Sequence, residues 1–134
     1  MRVVLDVNVL VSALLSRVGA PGRLVALWLE GAFELVVSEH LLAELAQTLQ
    51  YPKLRDRILD QDAAEFIQLI RVTASVVEDE PDPPGVSADR GDDYLIALAR
   101  TSSSVLVSGD RHLLALAPAL PIHDPAALVT MLSR

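Results

Sequence analysis

Acidic residues stand in this chain where an apolar run ends or where an apolar helix begins. Those that could act together are Asp6, Glu44, Asp92, Asp93 and Asp110. In an open α/β sheet, ligands bind outside the carboxyl ends of the strands. Like charges gathered there repel each other unless a cation lies between them, and oxygen-only ligands suit Mg²⁺ or Mn²⁺. The pattern therefore predicts a site for one or two divalent ions in an enzyme that acts on phosphates.

Each of these carboxylates also has a purely structural explanation. An Asp at a helix start is usually a cap that stabilises the helix by about 1 kcal/mol, which would account for Asp92 and Asp110. Glu44 lies at the margin of a leucine stripe, where a solvated glutamate is common. Asp6 is harder to explain, because it interrupts an apolar stretch and a charge there is costly unless it is paired or bound to metal. Capping and metal binding are compatible, since one oxygen can accept an N–H while the other faces the ion.

Other polar and aromatic residues leave alternatives open. Asn8 could orient Asp6 or a bound water, or could make only a local turn hydrogen bond. Trp28 and Phe33 are typical of a core or an interface. Three histidines lack a metal-binding spacing and are expected on the surface or in loops, although the second is near enough to Asp110 to touch a substrate: His40, His112 and His123.

Composition bounds the possible classes of protein. The 134 residues are 51% hydrophobic but only 4% aromatic, which predicts one domain over residues 1–134 with an aliphatic core. No apolar run approaches the ~18 residues of a membrane span, and no leader pattern precedes the first strand, so a cytoplasmic protein without a membrane partner is expected. The absence of cysteine excludes disulfides and thiolate metal sites. The net charge of −7 argues against a general nucleic-acid coat protein and suits a basic protein partner.

Apolar runs alternate between strand-like and helix-like patterns. Strands are predicted at residues 2–5, 33–37, 74–77, 105–108 and 121–122. Helices are predicted at residues 9–15, 23–30, 39–49, 53–59, 62–72, 92–100, 112–116 and 126–132, with Ser38 as an N-cap. Breaks are expected at residues 17–22 and in the acidic, proline-rich stretch 78–91. This alternation predicts a three-layer α/β/α sandwich around a parallel sheet.

Several other phosphate chemistries lack their motifs here. The chain has no GxxxxGK[ST] phosphate loop, no GxGxxG and no GxSxG elbow. A phosphoacceptor receiver domain would need an acidic pair after the first strand and a lysine after the last. The chain supplies neither, since its single lysine is Lys53.

Four stretches together resemble the PIN-domain nucleases. They are residues 4–10 (VLDVNVL), 36–44 (VVSEHLLAE), 92–99 (DDYLIALA) and 107–112 (VSGDRH), in the order the family has them. The resemblance is strongest to the small VapC-like PIN proteins that are toxins of prokaryotic toxin–antitoxin pairs. It implies a parallel sheet of four or five strands between helices.

The resemblance also assigns site residues. It implies that the four acidic positions of the family are occupied by Asp6, Glu44, Asp93 and Asp110, with Asn8 and Ser108 in supporting roles. Asp92 is an additional carboxylate found in part of the family, so the choice between Asp92 and Asp93 as the main ligand stays open, and Asp89 is a further candidate. Val7 departs from the Thr or Ser usual at its position, which removes a hydroxyl but no proposed ligand.

The implied activity is that of an endoribonuclease dependent on Mg²⁺ or Mn²⁺. Arg90 and Arg111 would hold RNA phosphates, whereas Arg17 and Arg23 are interpreted as ordinary surface residues. The implied partners are an RNA substrate, an antitoxin protein and a second copy of the chain, with the helix of Trp28 as one dimer surface. The alternative is a non-catalytic PIN-like module that binds RNA or protein. The occupation of all four acidic positions argues against it, because a scaffold has no use for clustered repulsion.

Overall fold

A parallel sheet runs through the centre of the protein. The computed structural model describes residues 1–81, 85 and 90–133, with Arg90 by its backbone alone. Five strands are found in these residues: β1 (Arg2–Leu5), β2 (Glu34–Val37), β3 (Ser75–Val76), β4 (Val105–Val107) and β5 (Ile122–His123). Their order across the sheet is β3-β2-β1-β4-β5, and every neighbouring pair is parallel.

Helices connect the strands. Within the same described ranges they are α1 (Val7–Leu15), α2 (Ala20–Leu29), α3 (Glu39–Thr48), α4 (Pro52–Arg55), α5 (Asp60–Thr73), α6 (Asp93–Thr101), α7 (Arg111–Leu114) and α8 (Pro125–Leu132). A turn of 3₁₀ helix at Arg90–Asp92 leads into α6. Parallel neighbours need such crossovers, because a hairpin can join only antiparallel strands.

The direction of the crossovers reverses once, between β3 and β4. The chain moves outward from β1 to β2 and β3, then returns across the sheet to β4 beside β1 and continues outward to β5. Right-handed crossovers then require α6 on the face opposite to α1–α5. The adjacent strands β1 and β4 therefore form a topological switch point, and the crevice at their carboxyl ends is where an open α/β sheet binds ligands.

The core is aliphatic, as the composition predicts. Val3, Val4 and Leu5 of β1 are completely buried, because β1 is central and is covered on both faces. Trp28 and Phe33 are buried in the same cluster and are therefore core residues. The predicted three-layer α/β/α sandwich with a parallel sheet of four or five strands is confirmed, and the number of strands is five.

The predicted break before the second helix is wrong in its extent. The helix was expected to restart at Arg23, but α2 begins at Ala20 with Pro21 in its first turn. Proline is tolerated there, because its missing N–H would have no helical partner. A Cβ on Gly22 would lie 2.6 Å from the carbonyl oxygen of Ser16, so glycine is what allows α2 to pack closely against the end of α1.

Most of the remaining helix ends lie within two residues of the predicted ones, but α4 ends at Arg55 and not at residue 59. The Ser38 hydroxyl accepts a hydrogen bond from the Leu41 N–H at 3.2 Å, which confirms the predicted N-cap of α3.

In the described part of the chain, no helix on its own has the length and apolar character to cross a membrane. The bent pair of α1 and α2, at 94°, meets that test only when the two are taken together.

Candidate active site

Asp6 is a buried carboxylate at the carboxyl end of β1. It follows β1 directly, and its backbone N–H donates to the carbonyl of Val107 at 2.9 Å, which extends the β1–β4 pairing by one step. Its carbonyl accepts from the N–H groups of Val9 and Leu10 and so starts α1. The residue is 6% exposed although it carries a carboxylate. The strand-to-helix turn thus holds an acidic side chain at the switch point.

Ser108 and Asp110 join Asp6 from the end of β4. The Ser108 hydroxyl donates to Oδ2 of Asp6 at 2.7 Å and accepts the N–H of Asp110 at 3.0 Å. Asp110 in turn caps α7, since its Oδ1 accepts the N–H of His112 at 2.8 Å. The capping interpretation of Asp110 is therefore confirmed, and the cap uses one of its two carboxylate oxygens.

Glu44 reaches the site from α3 and is held by a residue of α6. The Tyr94 hydroxyl donates to Oε2 of Glu44 at 2.8 Å, and the Nε2 of His40 lies 3.7 Å from Oε1. Burial raises the pKa of Tyr94, and the hydrogen bond to Glu44 raises it further. The phenol therefore stays protonated and remains a donor to the carboxylate.

Asp92 and Asp93 lie at the junction of the 3₁₀ turn and α6. Asp93 is the first residue of α6 and is only 2% exposed, whereas Asp92 is half-buried. Asp92 occupies the N-cap position, but within the described residues its side chain makes no capping hydrogen bond to α6. The carboxylate of Asp92 contributes to the field that raises the pKa of Tyr94, so it lies on the side of the site formed by α6.

The other predicted site residues are at the rim of this edge. Asn8 is exposed on the first turn of α1, and Arg111 is exposed at the start of α7 beside Asp110. Their roles toward Asp6 and toward a phosphate stay predictions. Asp89 and the side chain of Arg90 lie outside the described residues.

The electrostatics of Asp6 indicate a shared negative field. Burial is the largest cause that raises the pKa of Asp6, and the nearby charges of Asp110 and Glu44 raise it further. Hydrogen bonds from the Ser108 hydroxyl and the Val7 N–H act in the opposite direction. A cation placed among these carboxylates would relieve both the burial penalty and the repulsion.

The acidic side chains of this edge have the chemistry that a hard divalent ion requires. Their ligand atoms are carboxylate oxygens, which is the chemistry that Mg²⁺ and Mn²⁺ prefer. Among the side chains that the structure describes, however, no three Asp, Glu or His residues lie close enough together to form a metal cluster. The chemistry of the residues therefore fits such an ion, and binding it would require the carboxylates to draw together.

Two residues that contact Glu44 are not singled out by the sequence analysis. The sequence predicts His40 as a surface or loop residue and Tyr94 only as part of an apolar helix. A signal was present for both. The i, i+4 spacing puts His40 and Glu44 on one face of α3, and Tyr94 is one of only two tyrosines in the chain, directly after the Asp pair.

Comparison with known proteins decides the family. The sequence model of the PIN domain matches residues 2–112 of this chain. This chain belongs to the PIN domain family. All five of the acidic residues singled out above lie within the matched range, so the site described here falls inside the PIN domain.

Individual relatives agree with this assignment. The uncharacterized protein MJ1680 of Methanocaldococcus jannaschii is 29% identical over 115 residues, which cover 86% of this PIN domain chain and 74% of that protein. The crystal structure of PAE2754 from Pyrobaculum aerophilum is similar in fold, with a TM-score of 0.67, 20% identity, and coverage of 99% of this chain and 96% of that one. The structure of VapBC2 from Rickettsia felis, bound to a DNA fragment from its promoter, gives a TM-score of 0.65, 14% identity, and coverage of 92% and 98%.

Proposed function

We propose that this PIN domain is a metal-dependent endoribonuclease that hydrolyses RNA phosphodiester bonds. The observation that carries the proposal is the burial of Asp6 at the switch point, in the field of Asp110 and Glu44. A protein that uses such residues only for folding would have no reason to bury a carboxylate in the repulsive field of two others. Perturbed acidic groups at a strand-end crevice are typical of a functional site.

The residues that would hold Mg²⁺ or Mn²⁺, as one ion or two, are Asp6, Asp93, Asp110 and Glu44, with Asp92 as a further ligand. A bound divalent ion supplies the Lewis acid that activates water and offsets the charge developing on the phosphodiester.

The chain's own residues orient these ligands. Ser108 fixes Oδ2 of Asp6 by its 2.7 Å hydrogen bond, and Tyr94 fixes Oε2 of Glu44 at 2.8 Å. These two bonds set the orientation of the carboxylates, which also contact the Val7 N–H in the case of Asp6 and the His40 imidazole in the case of Glu44. Arg111, exposed beside Asp110, and Arg90 would contact the phosphates that flank the scissile bond, as arginine does in bidentate fashion.

The biological setting is part of the proposal. A PIN domain with the fold of VapBC2 is suited to be the toxin of a toxin–antitoxin pair, with an antitoxin protein as its partner and a homodimer as its working form. Such a ribonuclease would act as a single domain in the cytoplasm, where its RNA substrates are. The acidic surface, at a net charge of −7, would favour a basic antitoxin.

The test is cleavage of mixed RNA by the purified protein with Mg²⁺ or Mn²⁺, with EDTA as the metal-free control. The variants Asp6→Asn and Asp93→Asn should lose activity while remaining folded. Asp56→Asn, which changes an exposed acid at the end of α4, is the matched control and should cleave like the wild type. Cleavage that survives in Asp6→Asn would contradict the site assignment.

A second measurement separates the nuclease from a non-catalytic PIN-like module. A working metal site binds the ion only in the folded state, so Mg²⁺ or Mn²⁺ should raise the unfolding temperature of the wild type. The increase should be smaller in Asp6→Asn. A module that has the shape of the site without its metal chemistry would show no such increase in either protein.

A further inference from the structure

His40 and Tyr94 form a stacked pair of rings. Their centroids lie 3.7 Å apart and the ring planes are inclined by only 9°. Tyr94 is 5% exposed, whereas the side chain of His40 is 47% exposed. Because Tyr94 covers one face of the imidazole, the exposed part of His40 is the side that is turned away from Tyr94.

The pair lies against the acidic site. The Tyr94 hydroxyl donates to Oε2 of Glu44 at 2.8 Å, and Nε2 of His40 lies 3.7 Å from Oε1 of the same carboxylate. The exposed imidazole therefore lies next to Glu44, which is one of the residues proposed to act on the phosphodiester. A nucleotide bound there would have its base in reach of His40.

The backbone beneath His40 is held from several directions. Its N–H donates to Oδ2 of Asp79 at 2.9 Å, and Ser38 caps the same turn of α3. The preceding residue, Glu39, accepts two hydrogen bonds from the guanidinium of Arg71, at 2.6 and 3.2 Å. The imidazole thus starts from a fixed turn and rests on a buried ring, which lowers the entropy lost when a ligand stacks on it.

Packing alone does not explain this arrangement. An aromatic pair formed for core stability would bury both rings, but His40 remains about half in water. The charge of the site also favours a contact with the bases of RNA over a contact with its phosphates. The carboxylates and the net charge of −7 repel an RNA backbone, so affinity must come in part from the bases. Stacking on an aromatic face supplies it for any base, since every base has a π-face.

We infer that His40, backed by Tyr94, is a nucleobase-stacking residue of this site, and that a base next to the scissile phosphate packs on its outer face. The inference rests on the proposed ribonuclease function and specifies how its single-stranded substrate is held. It assigns His40 to substrate binding and assigns Tyr94 to two positioning tasks, one toward the imidazole and one toward Glu44.

The test is equilibrium binding of a fluorescent single-stranded oligoadenylate, followed by fluorescence anisotropy. All proteins carry Asp6→Asn and Mg²⁺ is present, so that the oligomer stays intact. His40→Ala should raise the Kd for oligoadenylate by about fivefold or more. His40→Phe, which retains a stacking ring without the ring nitrogens, should bind like the parent. A second oligomer of equal length without bases should bind more weakly and should not distinguish the three proteins.

Two controls accompany the binding series. Gln47→Ala changes an exposed residue two turns further along α3 and should leave the Kd unchanged. Thermal unfolding of each variant shows whether it is folded at the assay temperature. If His40→Ala is unfolded there, the Kd of His40→Phe is compared with that of the parent.

Three results would overturn the inference. They are equal Kd values for His40→Ala and its parent, a Kd for His40→Phe that is as weak as for His40→Ala, and equal binding of the two oligomers by the parent. Cleavage of mixed RNA by the wild type is measured separately. Metal-dependent cleavage together with any of these results refutes only the role of His40, whereas the loss of both cleavage and RNA binding refutes the proposed function as well.

Discussion

The hydroxyl of Ser108 donates a 2.7 Å hydrogen bond to Oδ2 of Asp6, although 102 positions separate the two residues in the chain. The parallel register sets Leu5 beside Val107, so the next residue of each strand lies at the same level of the sheet edge. The same hydroxyl accepts the N–H of Asp110 at 3.0 Å. One side chain therefore links the acidic residues that follow two neighbouring strands.

Removal of this hydroxyl should weaken both the fold and the site. In Ser108→Ala, Asp6 loses a hydrogen bond that lowers its pKa, so the pKa of Asp6 should rise further above its ordinary value. The free energy of unfolding should fall by about 1–3 kcal/mol, because Asp6 and the Asp110 N–H each lose a partner. Carbon-detected NMR titration of Asp6 and urea unfolding measure the two effects. Ser108→Thr retains the hydroxyl and is the control, and an unchanged Asp6 titration in Ser108→Ala would contradict this account.

The raised pKa of Asp6 makes the stability of the metal-free protein depend on pH. The folded state holds the proton on Asp6 more tightly than the unfolded state, whose pKa is near the ordinary value of 3.8. Below pH 3.8, Asp6 is protonated in both states, so no charge is buried when the protein folds. As the pH rises through the folded pKa, the carboxylate ionises in a buried, repulsive place and stability is lost.

Asp6→Asn should therefore be more stable than the wild type at neutral pH in EDTA. Asparagine can still accept the Ser108 hydrogen bond but carries no charge. The difference in unfolding temperature should shrink as the pH falls toward 3.8 and then become constant. Calorimetry across this pH range checks it, and a variant that is less stable than the wild type at neutral pH would argue against an ionised, strained Asp6.

Tyr94 should act on metal binding through Glu44. Tyr94→Phe retains the ring that backs His40 but removes the hydroxyl that holds Oε2 of Glu44. Groups that orient metal ligands typically contribute 10-fold or more to affinity, so we expect roughly a 10-fold weaker affinity for Mn²⁺ by titration calorimetry. The other tyrosine, Tyr51, is exposed, and Tyr51→Phe is the matched control. Equal Mn²⁺ affinities of Tyr94→Phe and the wild type would remove Tyr94 from the site.

Gly22 should not tolerate a side chain. In an exposed helix, Gly→Ala usually stabilises by up to about 1 kcal/mol. At Gly22 the new Cβ would lie 2.6 Å from the Ser16 carbonyl oxygen and 2.7 Å from that of Arg17, which are backbone atoms that cannot rotate away. We expect Gly22→Ala to lower the free energy of unfolding by about 1–3 kcal/mol in urea. Gly109→Ala, whose Cβ would meet nothing within 4 Å in the described structure, should change it little; similar values for the two variants would show that α1 and α2 adjust freely.

The local features of this protein were predictable from its sequence. Short β-branched runs predicted the strands, the apolar periodicity predicted the helices, and Ser38 and Asp110 were recognised as helix caps that the structure has. These features depend on residues within a few positions of one another, so the pattern along the chain contains them. The start of α2 was missed because a proline in a first helical turn looks the same in sequence as a break.

Which residues meet was decided by the tertiary structure. The order β3-β2-β1-β4-β5 sets Ser108 against Asp6, and the positions of α3 and α6 at the same edge of the sheet bring Tyr94 to Glu44 and to His40. Sequence spacing contains no measure of these approaches, since they depend on how whole elements pack across the sheet. For the same reason, the sequence indicated which carboxylates could serve a site and that Asp6 stands in an apolar context, whereas the extent of its burial and the particular charges that repel it, those of Asp110 and Glu44, emerged only from the folded chain.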